Sequence, residues 1–200
     1  EKDRIIGVFT DVTKEMKERR KLEYERNYDI LTTLMNRRAF SEIMENKLKH
    51  PSVMKVAALL MLDLDNLKFI NDSYGHDWGD VYLRQTAHSL QQGSPSGTVV
   101  ARLSGDEFLL LFYGYETREA LRADIKKLEE NFAQSSATLP DGKRLCIRMS
   151  GGVAWYPEDA LDLDTLKKYA DFAMYEVKHS TKGEVREFDM ERYRAGVYAM

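Results

Sequence analysis

Residues 102–108, with the sequence Arg-Leu-Ser-Gly-Asp-Glu-Phe, constrain the fold of this chain more than any other stretch. They lie between two short apolar runs, residues 98–103 and 108–113, which are rich in strand-forming residues. The pattern predicts two antiparallel strands joined by a very tight turn, with two adjacent acids at its tip. Because Ser-Gly-Asp is also ordinary turn chemistry, this stretch alone leaves open whether the acids form a site or are only solvated.

The composition limits the class of protein. A length of 200 residues suits one domain with extensions, and an apolar content of 43% supports a real core. The net charge of -3 gives no reason to expect binding to nucleic acid or to a membrane surface. The longest apolar run, residues 56–62, is too short to cross a bilayer, and no signal peptide is recognisable. We therefore expect a cytoplasmic location for this portion of the protein.

Cys146 is the single cysteine, which excludes an internal disulfide and suits a reducing compartment. It falls inside a strand pattern, so we predict a buried structural thiol rather than a nucleophile. The chain begins at Glu1 without a Met, which suggests a segment of a longer protein.

The first part of the chain has a different character from the rest. Residues 5–10 are predicted as a strand, and Thr13 is the predicted N-cap of a charged helix over residues 14–27. A helix this polar is either solvated or half of a coiled coil with a second copy. A strand, Asp-Val-Thr and a charged helix resemble the end of a PAS sensor domain and its signalling helix. We therefore divide the chain into a sensor end (1–13), a signalling helix (14–28), a main domain (29–190) and an exit segment (191–200).

The main domain is predicted to be α+β. Helices are expected at residues 37–49, 117–132 and 163–178, and a further helix should end at about residue 92. Strands are expected at residues 56–62, 145–155 and 185–188, in addition to the two strands of the hairpin. The strand at 56–62 has no alternation, so both of its faces should be buried, and the small Gly79 should let its helix approach the sheet closely. This order predicts a palm-like fold of the ferredoxin-like or nucleotidyl cyclase type, with a central, mostly antiparallel sheet flanked by helices.

Three acids are expected at one edge of that sheet. Asp63 ends a central strand, and Asp106 and Glu107 lie at the hairpin of the next strands. Clustered carboxylates repel one another unless a divalent cation joins them, and oxygen ligands favour Mg²⁺ or Mn²⁺. A calcium-binding EF-hand loop is excluded because Lys68 stands where that loop needs Gly. A two-cation carboxylate site on a palm suits phosphoryl or nucleotidyl transfer.

Other polar residues complete a predicted nucleotide site. The loop at residues 65–67, which includes Asn66 and Leu67, can offer backbone N–H groups to phosphates. Lys178 ends the last long helix beside its apolar stripe and can reach a phosphate. Asn71 and Asp80 suit a guanine edge, since Asp accepts from N–H groups and Asn both donates and accepts. The same two residue types are also common as turn and cap residues.

Four blocks resemble, in order and spacing, the GGDEF domain of the diguanylate cyclase family over residues 28–188. Residues 29–38 resemble its DxLTGLxNRR block, and residues 63–80 resemble DxDxFKxINDxxGHxxGD. Residues 104–108 form the signature hairpin with the variant sequence Ser-Gly-Asp-Glu-Phe, and residues 170–178 resemble the ADxALYxAK helix.

The resemblance implies that two GTP molecules are joined into cyclic di-GMP with release of two pyrophosphates. Each domain of a dimer would hold one GTP, and each 3′-hydroxyl would attack the α-phosphate held by the other domain. The resemblance also implies roles for individual residues. The metal ligands are Asp63, the Leu64 carbonyl and Asp106; Glu107 supports the metals and the attacking hydroxyl; Lys68 and Lys178 hold phosphates; and Asn71 and Asp80 read guanine.

The chain departs from the family pattern at four places. Ser104 replaces the first Gly of the signature, which costs energy if that position needs a positive φ. Thr33 replaces a Gly of the first block. Lys182 stands where the family has Arg, so the charge remains but the bidentate grip on phosphate is lost. Residues 95–98 lack the RxxD of the family's inhibitory site, so we expect no product inhibition there.

Three functions remain as alternatives. The first is an active diguanylate cyclase that works as a homodimer, through its signalling helix and facing sites, under an upstream PAS-type sensor. The second is a GTP-binding regulatory module without turnover, of the kind that often precedes an EAL phosphodiesterase domain. The third is a dimerisation or docking domain in which Asn71 and Asp80 have no measurable role. None of them predicts a nucleic-acid partner.

Overall fold

The structure, a computed structural model, describes residues 13–197. The strand predicted at residues 5–10 lies outside the described residues.

Eight helices and eight strands make up the described part of the chain. The helices are α1 (Thr13–Asn27), α2 (Arg37–Leu48), α3 (Pro51–Met54), α4 (Leu67–Tyr74), α5 (His76–Gly93), α6 (Arg118–Ala133), α7 (Leu163–Lys178) and α8 (Met190–Val197). The strands are β1 (Met35–Asn36), β2 (Val56–Leu64), β3 (Val99–Ser104), β4 (Glu107–Tyr115), β5 (Ser136–Thr138), β6 (Arg144–Cys146), β7 (Met149–Tyr156) and β8 (Val185–Glu187).

The main sheet has six strands in the order β1-β3-β4-β2-β7-β8. Its central pairs, β3 with β4, β4 with β2 and β2 with β7, are antiparallel, while the two short edge strands pair in parallel. The predicted α+β class and the central, mostly antiparallel sheet with its hairpin are therefore confirmed. A separate two-stranded sheet joins β5 and β6.

Strand β2 lies between two apolar clusters, one on each face of the sheet. Leu60 and Leu62 belong to the cluster under α5 and α6, whereas Leu59 and Met61 belong to the cluster under α2 and α7. The prediction of a strand buried on both faces is confirmed. By the alternation of a strand, the Asp63 side chain points to the same face as Met61, toward α7.

Helix α7 has the predicted bounds and packs directly on β7. A Cβ atom at Gly152 would overlap the Ala170 carbonyl oxygen and the Met174 backbone nitrogen. Only a residue without a side chain allows this approach. The approach brings the C-terminal end of α7, and with it Lys178, to the end of β2.

The predicted continuous strand at residues 145–155 is wrong. The chain forms β6, leaves the strand conformation at Ile147 and Arg148, and then forms β7. Strand β6 pairs with β5, whereas β7 pairs with β2 in the main sheet. The alternating pattern therefore spans two strands that belong to different sheets. The predicted burial of Cys146 is wrong for the same reason, since this thiol is exposed at the edge of the small sheet.

Helices α4 and α5 follow β2 and are separated only by Gly75, whose φ is 87°. The predicted role of Gly79 is also wrong. A Cβ atom there would overlap the Asn71 amide oxygen on α4, so the missing side chain makes room for Asn71 rather than for the sheet.

Helix α1 confirms a helix over the charged run, and its described side chains are mostly exposed. Asn36 connects it to the domain. The amide nitrogen of Asn36 donates to the Arg26 carbonyl (3.0 Å), and its amide oxygen accepts from the Ala39 N–H (3.0 Å) at the start of α2. Within residues 13–197, none of the helices is both long and apolar enough to span a membrane.

Candidate active site

The three predicted acids meet at one edge of the sheet. Asp63 on β2 lies directly opposite Glu107 on β4, and the Leu64 N–H donates to the Asp106 carbonyl oxygen at 2.9 Å. On its other side Asp63 lies opposite Ser150 of β7. Since like charges opposite each other in a sheet repel, this arrangement favours a cation at the same edge.

Asp63 is the most buried of these acids, with 6% of its surface exposed. Burial raises the pKa of the Asp63 carboxyl above its usual 3.8, and the nearby Asp106 adds to the rise. Lys178 opposes this shift, because its ammonium lies 2.5 Å from the Asp63 carboxylate. In this structure Lys178 therefore compensates the buried charge of Asp63.

The signature turn accommodates Ser104 without backbone strain. Ser104 is not in the left-handed region; the residue with a positive φ is Gly105, at 48°. The Ser104 hydroxyl donates to the Glu107 carboxylate at 3.1 Å, a bond that Gly cannot make. The conformational cost expected if this position needed a positive φ is therefore absent.

Arg102 positions the hairpin, although the sequence pattern assigned it no role. Its guanidinium donates to the Gly105 carbonyl oxygen at 2.8 and 3.0 Å and pairs with Asp29 at 3.0 Å. It thus joins the turn at the start of the domain to the signature turn. The available signal was a charged residue placed inside an apolar strand run.

Asp29 anchors the turn at the start of the domain. Burial acts to raise the pKa of this carboxyl, but two hydrogen bonds from Thr32 and the contact with Arg102 outweigh burial and hold the pKa below 3.8. In the same turn, Thr33 has a φ of 62°. This β-branched residue thus adopts the left-handed conformation that the Gly of the family pattern adopts easily.

The loop after β2 leads into α4 through the exposed Asn66. Asn66 has a φ of 70°, and its side chain makes no capping hydrogen bond to α4. The loop is anchored through Asp65, whose carboxylate accepts from the Ser150 hydroxyl at 3.1 Å. Leu67 is buried, whereas Lys68 is exposed in the first turn. This arrangement leaves N–H groups and an ammonium available to an anion.

Asn71 and Asp80 are brought near each other by the packing of α4 on α5. The Asn71 amide lies against Gly79, the residue next to Asp80. Both side chains are partly exposed. The two predicted guanine readers therefore lie on neighbouring helices with their polar groups accessible.

Lys182 lies in the loop after α7, with a φ of 51°. Its N–H donates to the Val177 carbonyl at 3.0 Å, and the next N–H, of Gly183, donates to the Ser150 hydroxyl at 3.2 Å. Ser150 therefore connects this loop to Asp65. The exposed side chain of Lys182 lies on the loop that follows Lys178.

Asp171 is a further acid near the hairpin. Burial raises the pKa of its carboxyl, the negative charge of Glu107 adds to the rise, and Lys178 opposes it. Asp171 belongs to the ADxALYxAK block, but no role was predicted for it.

The donor set fits a divalent cation. No three His, Cys, Asp or Glu side chains within residues 13–197 lie close enough to hold an ion by themselves. Mg²⁺, however, is commonly bound by one or two carboxylates together with waters and substrate phosphates rather than by an all-protein cage. The buried Asp63, its neighbour Asp106 and the backbone of Leu64 provide oxygen donors of that kind.

A palm-type sheet with acids at the ends of its central strands places the protein in the class of nucleotidyl cyclase-type domains. The model of the family described as "Diguanylate cyclase, GGDEF domain" matches residues 26–184. The chain therefore belongs to the GGDEF family.

Curated relatives match most of this chain. Diguanylate cyclase DgcM of Escherichia coli (strain K12) is 32% identical over 90% of this chain and 43% of its own length. Cyclic di-GMP phosphodiesterase PdeR of the same organism is 32% identical over 94% of this chain and 28% of its own length. Among its most similar curated relatives, the chain spans between 21% and 54% of their length.

Solved structures agree with the fold. The GGDEF domain of YfiN (TpbB) from Pseudomonas aeruginosa is 30% identical and superposes with a TM-score of 0.72. The match covers 80% of this chain and 99% of that one. The palm-like architecture of the cyclase-type domain is thereby confirmed.

Proposed function

We propose that the protein is a diguanylate cyclase that condenses two GTP molecules into cyclic di-GMP and two pyrophosphates. The observation that carries this proposal is the convergence of Asp63, Asp106 and Glu107 at one sheet edge, with Lys178 on the buried acid. Relatives that are named diguanylate cyclases support the same activity.

Asp63, Asp106 and the Leu64 carbonyl would hold Mg²⁺ or Mn²⁺, with Glu107 beside them. When bound, the ions would neutralise triphosphate charge and stabilise charge that develops in the transition state. The chain's own acids would also orient the reactants, with Glu107 accepting a hydrogen bond from the attacking 3′-hydroxyl. Ser104 supports this role, since its hydroxyl bonds the same carboxylate.

The phosphates would lie along the basic end of the site. The open start of α4 offers the N–H groups of Asn66 and Leu67, and Lys68 adds a charge in the first turn. Lys178 is one-third exposed, so its ammonium can turn from Asp63 to a phosphate once a cation neutralises that acid. Lys182, on the loop after α7, would be a further cation that contacts the phosphates.

The guanine would lie between α4 and α5. Asn71 can donate to the guanine carbonyl and accept from its N–H groups, and Asp80 accepts from the N–H edge. A site that hydrogen-bonds guanine rejects adenine strongly, because its polar groups would be left unpaired.

Catalysis requires two domains, since each site holds one GTP and the bonds form between them. We propose a homodimer with facing sites, held by α1 as a signalling helix beneath a PAS-type sensor. The exposed, charged surface of α1 is compatible with a coiled coil.

The test is a turnover assay with GTP and Mg²⁺ across protein concentrations, using the chain with its α1 helix. The specific activity should rise with concentration, and Asp106→Ala should lower it by at least ~10³-fold because a metal donor is lost. Asp164→Ala, an exposed acid in the first turn of α7, is the matched control and should leave turnover unchanged. Absence of product from an enforced dimer would refute the cyclase.

The second candidate is a GTP-binding regulatory module without turnover. Two observations favour it: Lys182 lacks the bidentate grip of Arg, and relatives such as PdeR and NbdA are named phosphodiesterases. Such a module would control a neighbouring domain, for example one of the EAL type.

Calorimetry separates the two candidates. The regulatory module predicts GTP binding that is lost in Asn71→Ala and Asp80→Ala, together with no product. Restored turnover in Lys182→Arg would assign the defect to that residue. A protein that binds no GTP at all would leave only a docking or dimerisation role.

A further inference from the structure

A cavity of about 390 Å³ lies under α5 and α6, on the opposite face of the sheet from the Asp63 side chain. Its volume falls in the range of small-molecule sites. Most of its wall is apolar, formed by Leu60, Leu62, Leu90, Leu128, Phe132 and Met149.

Among the residues that the structure describes, the cavity contains an acid without an ion pair. Glu129 lines the wall and accepts a hydrogen bond from the Val185 N–H at 3.0 Å, yet it forms no ion pair within residues 13–197. Burial raises the pKa of the Glu129 carboxyl and Glu184 and Glu130 add to the rise, whereas the Val185 N–H and the exposed Lys126 oppose it without cancelling it. A carboxylate removed from water without a cation is unfavourable, so a cation in the cavity would be stabilised there.

The other charged groups of the wall determine whether the cavity favours a positively or a negatively charged ligand. Glu184 adds a second carboxylate, which pairs with Arg186 at 2.7 Å. Arg148 is the opposing cation, but it is exposed, so water screens its charge. The more buried of these groups is Glu129, and the local field therefore favours a cation over an anion.

We propose that this cavity binds a compact amphipathic cation, with an apolar body of about two rings and one protonated amine that meets Glu129. An engineered apolar cavity of about 150 Å³ binds benzene, so the volume here suits a larger, two-ring body. Neither GTP nor cyclic di-GMP has this chemistry, so the site is distinct from the nucleotide site.

The cavity wall is connected to the nucleotide site. The wall residues Gly183 and Glu184 directly follow Lys182 in the chain. The Gly183 N–H donates to Ser150, and Ser150 donates to Asp65 in the loop before α4. A ligand that moves this wall segment would change the affinity for GTP, and this consequence rests on the proposed function.

Cys146 provides a direct reporter of occupancy. It is the single cysteine of the chain, it is exposed, and it lines the cavity. The experiment measures its alkylation rate in the presence of three probes of one shape: tryptamine, its neutral analogue skatole and its acidic analogue indolepropionate. Tryptamine should slow alkylation at least tenfold at saturation. Skatole should reach the same effect only at a higher concentration, and indolepropionate should slow alkylation the least.

Two variants make this result specific. Glu129→Gln should remove the preference for tryptamine over skatole while leaving binding of the neutral probe. Ala133→Trp places an indole in the cavity from an exposed wall position and should abolish protection by all three probes. Protection that survives Ala133→Trp, no protection by tryptamine at millimolar concentration, or equal protection by indolepropionate would each overturn the proposal.

Calorimetry with GTP tests the connection to the nucleotide site. Saturating tryptamine should change the GTP dissociation constant by about fivefold or more, the lower end of ordinary allosteric coupling. An unchanged constant overturns the coupling. If GTP does not bind at all, the proposed function fails, whereas Cys146 protection still decides whether the cavity is a ligand site.

Discussion

The turn at the start of the domain and the signature turn both carry another residue where the GGDEF pattern has Gly, but with opposite consequences. Thr33 adopts a φ of 62°, which is unfavourable for a β-branched side chain. Ser104 keeps an ordinary φ and gains a hydrogen bond to Glu107. The same replacement of Gly therefore strains one turn and leaves the other relaxed.

The comparison shows that motif glycines serve different physical needs. At position 33 the need is a left-handed backbone, at Gly79 it is space for Asn71, and at position 104 neither need is present in this structure. The signature region carries its strain in another form, as the buried charge of Asp63. The first turn thus contains an unfavourable backbone conformation at Thr33, whereas the signature region contains an unfavourable buried charge at Asp63.

Removing the charge of Asp63 should have the largest effect. Asp63→Asn should lower turnover by about 10³-fold through loss of a metal donor, and should raise the free energy of unfolding at pH 7 by about 1 kcal/mol. The pKa of Asp63 is raised above 3.8, so the folded protein binds more protons than the unfolded chain from that pH upward, and stability falls as pH rises through this window.

Denaturant unfolding from pH 4 to pH 8 in metal-free buffer measures this effect. The variant should lack the part of the decline that Asp63 causes, and Lys178 should stay hydrated because its side chain is one-third exposed. A less stable variant at pH 7 would mean that the Lys178 ion pair outweighs the strain.

Filling the space at Gly79 should weaken GTP binding by about 10- to 100-fold, equivalent to the loss of one or two hydrogen bonds to the base. Gly79→Ala displaces the Asn71 amide, which its Cβ would overlap. Calorimetry with GTP and with ATP measures the loss of preference for guanine. The double variant Gly79→Ala with Asn71→Ala should recover stability but not affinity; recovery of affinity would exclude Asn71 as a guanine reader.

Arg102 joins the two compared turns, so removing it tests whether they are coupled. Arg102→Ala should destabilise the protein by about 1–3 kcal/mol, because the Gly105 carbonyl and Asp29 lose a charged donor. Turnover should fall by about tenfold as the hairpin loses its position. Arg38→Ala, which removes an exposed pair with Glu42, is the control and should change stability by less than about 0.5 kcal/mol. Equal effects of the two variants would show that the turns are independent.

The two replaced glycines should respond to reversion with opposite signs. Thr33→Gly should raise the free energy of unfolding by about 1 kcal/mol, since relief of left-handed strain exceeds the added entropy of the unfolded chain. Ser104→Gly should lower it by about 0.5 kcal/mol, since only chain entropy and a hydrogen bond change. Thermal unfolding of both variants measures the signs, and stabilisation by Ser104→Gly would contradict the relaxed turn described here. Turnover should stay within about threefold in both, which is less than 1 kcal/mol.

Much of the fold followed from local patterns. The two-sided burial of β2, the hairpin and the bounds of α7 are each specified by residues close in sequence, and together they imply that Asp63, Asp106 and Glu107 meet. The predicted roles of these residues stay predictions until turnover is measured.

The features that escaped prediction depend on distant partners. Arg102 and Asp29 are 73 residues apart, so no local pattern reports their ion pair. Apolar and polar residues alternate without interruption through residues 145–149, so the sequence predicts one strand. The alternation does not show that the first part of this segment pairs with β5 and the second part with β2. The place of Cys146 depends on β5, which pairs with β6 but not with the main sheet.

The register of β2 has a consequence for errors in folding. Asp63 lies opposite both Glu107 and Ser150 in the same register that buries Leu60 and Leu62. A slip by one residue would turn the acid toward the other face, away from Lys178, and would move these leucines to the face where Leu59 and Met61 pack now. Because both faces of β2 are apolar, the leucines would stay buried after such a slip, whereas the acid would be buried without its ammonium partner. The charge of Asp63, rather than the apolar pattern, therefore disfavours the slipped register.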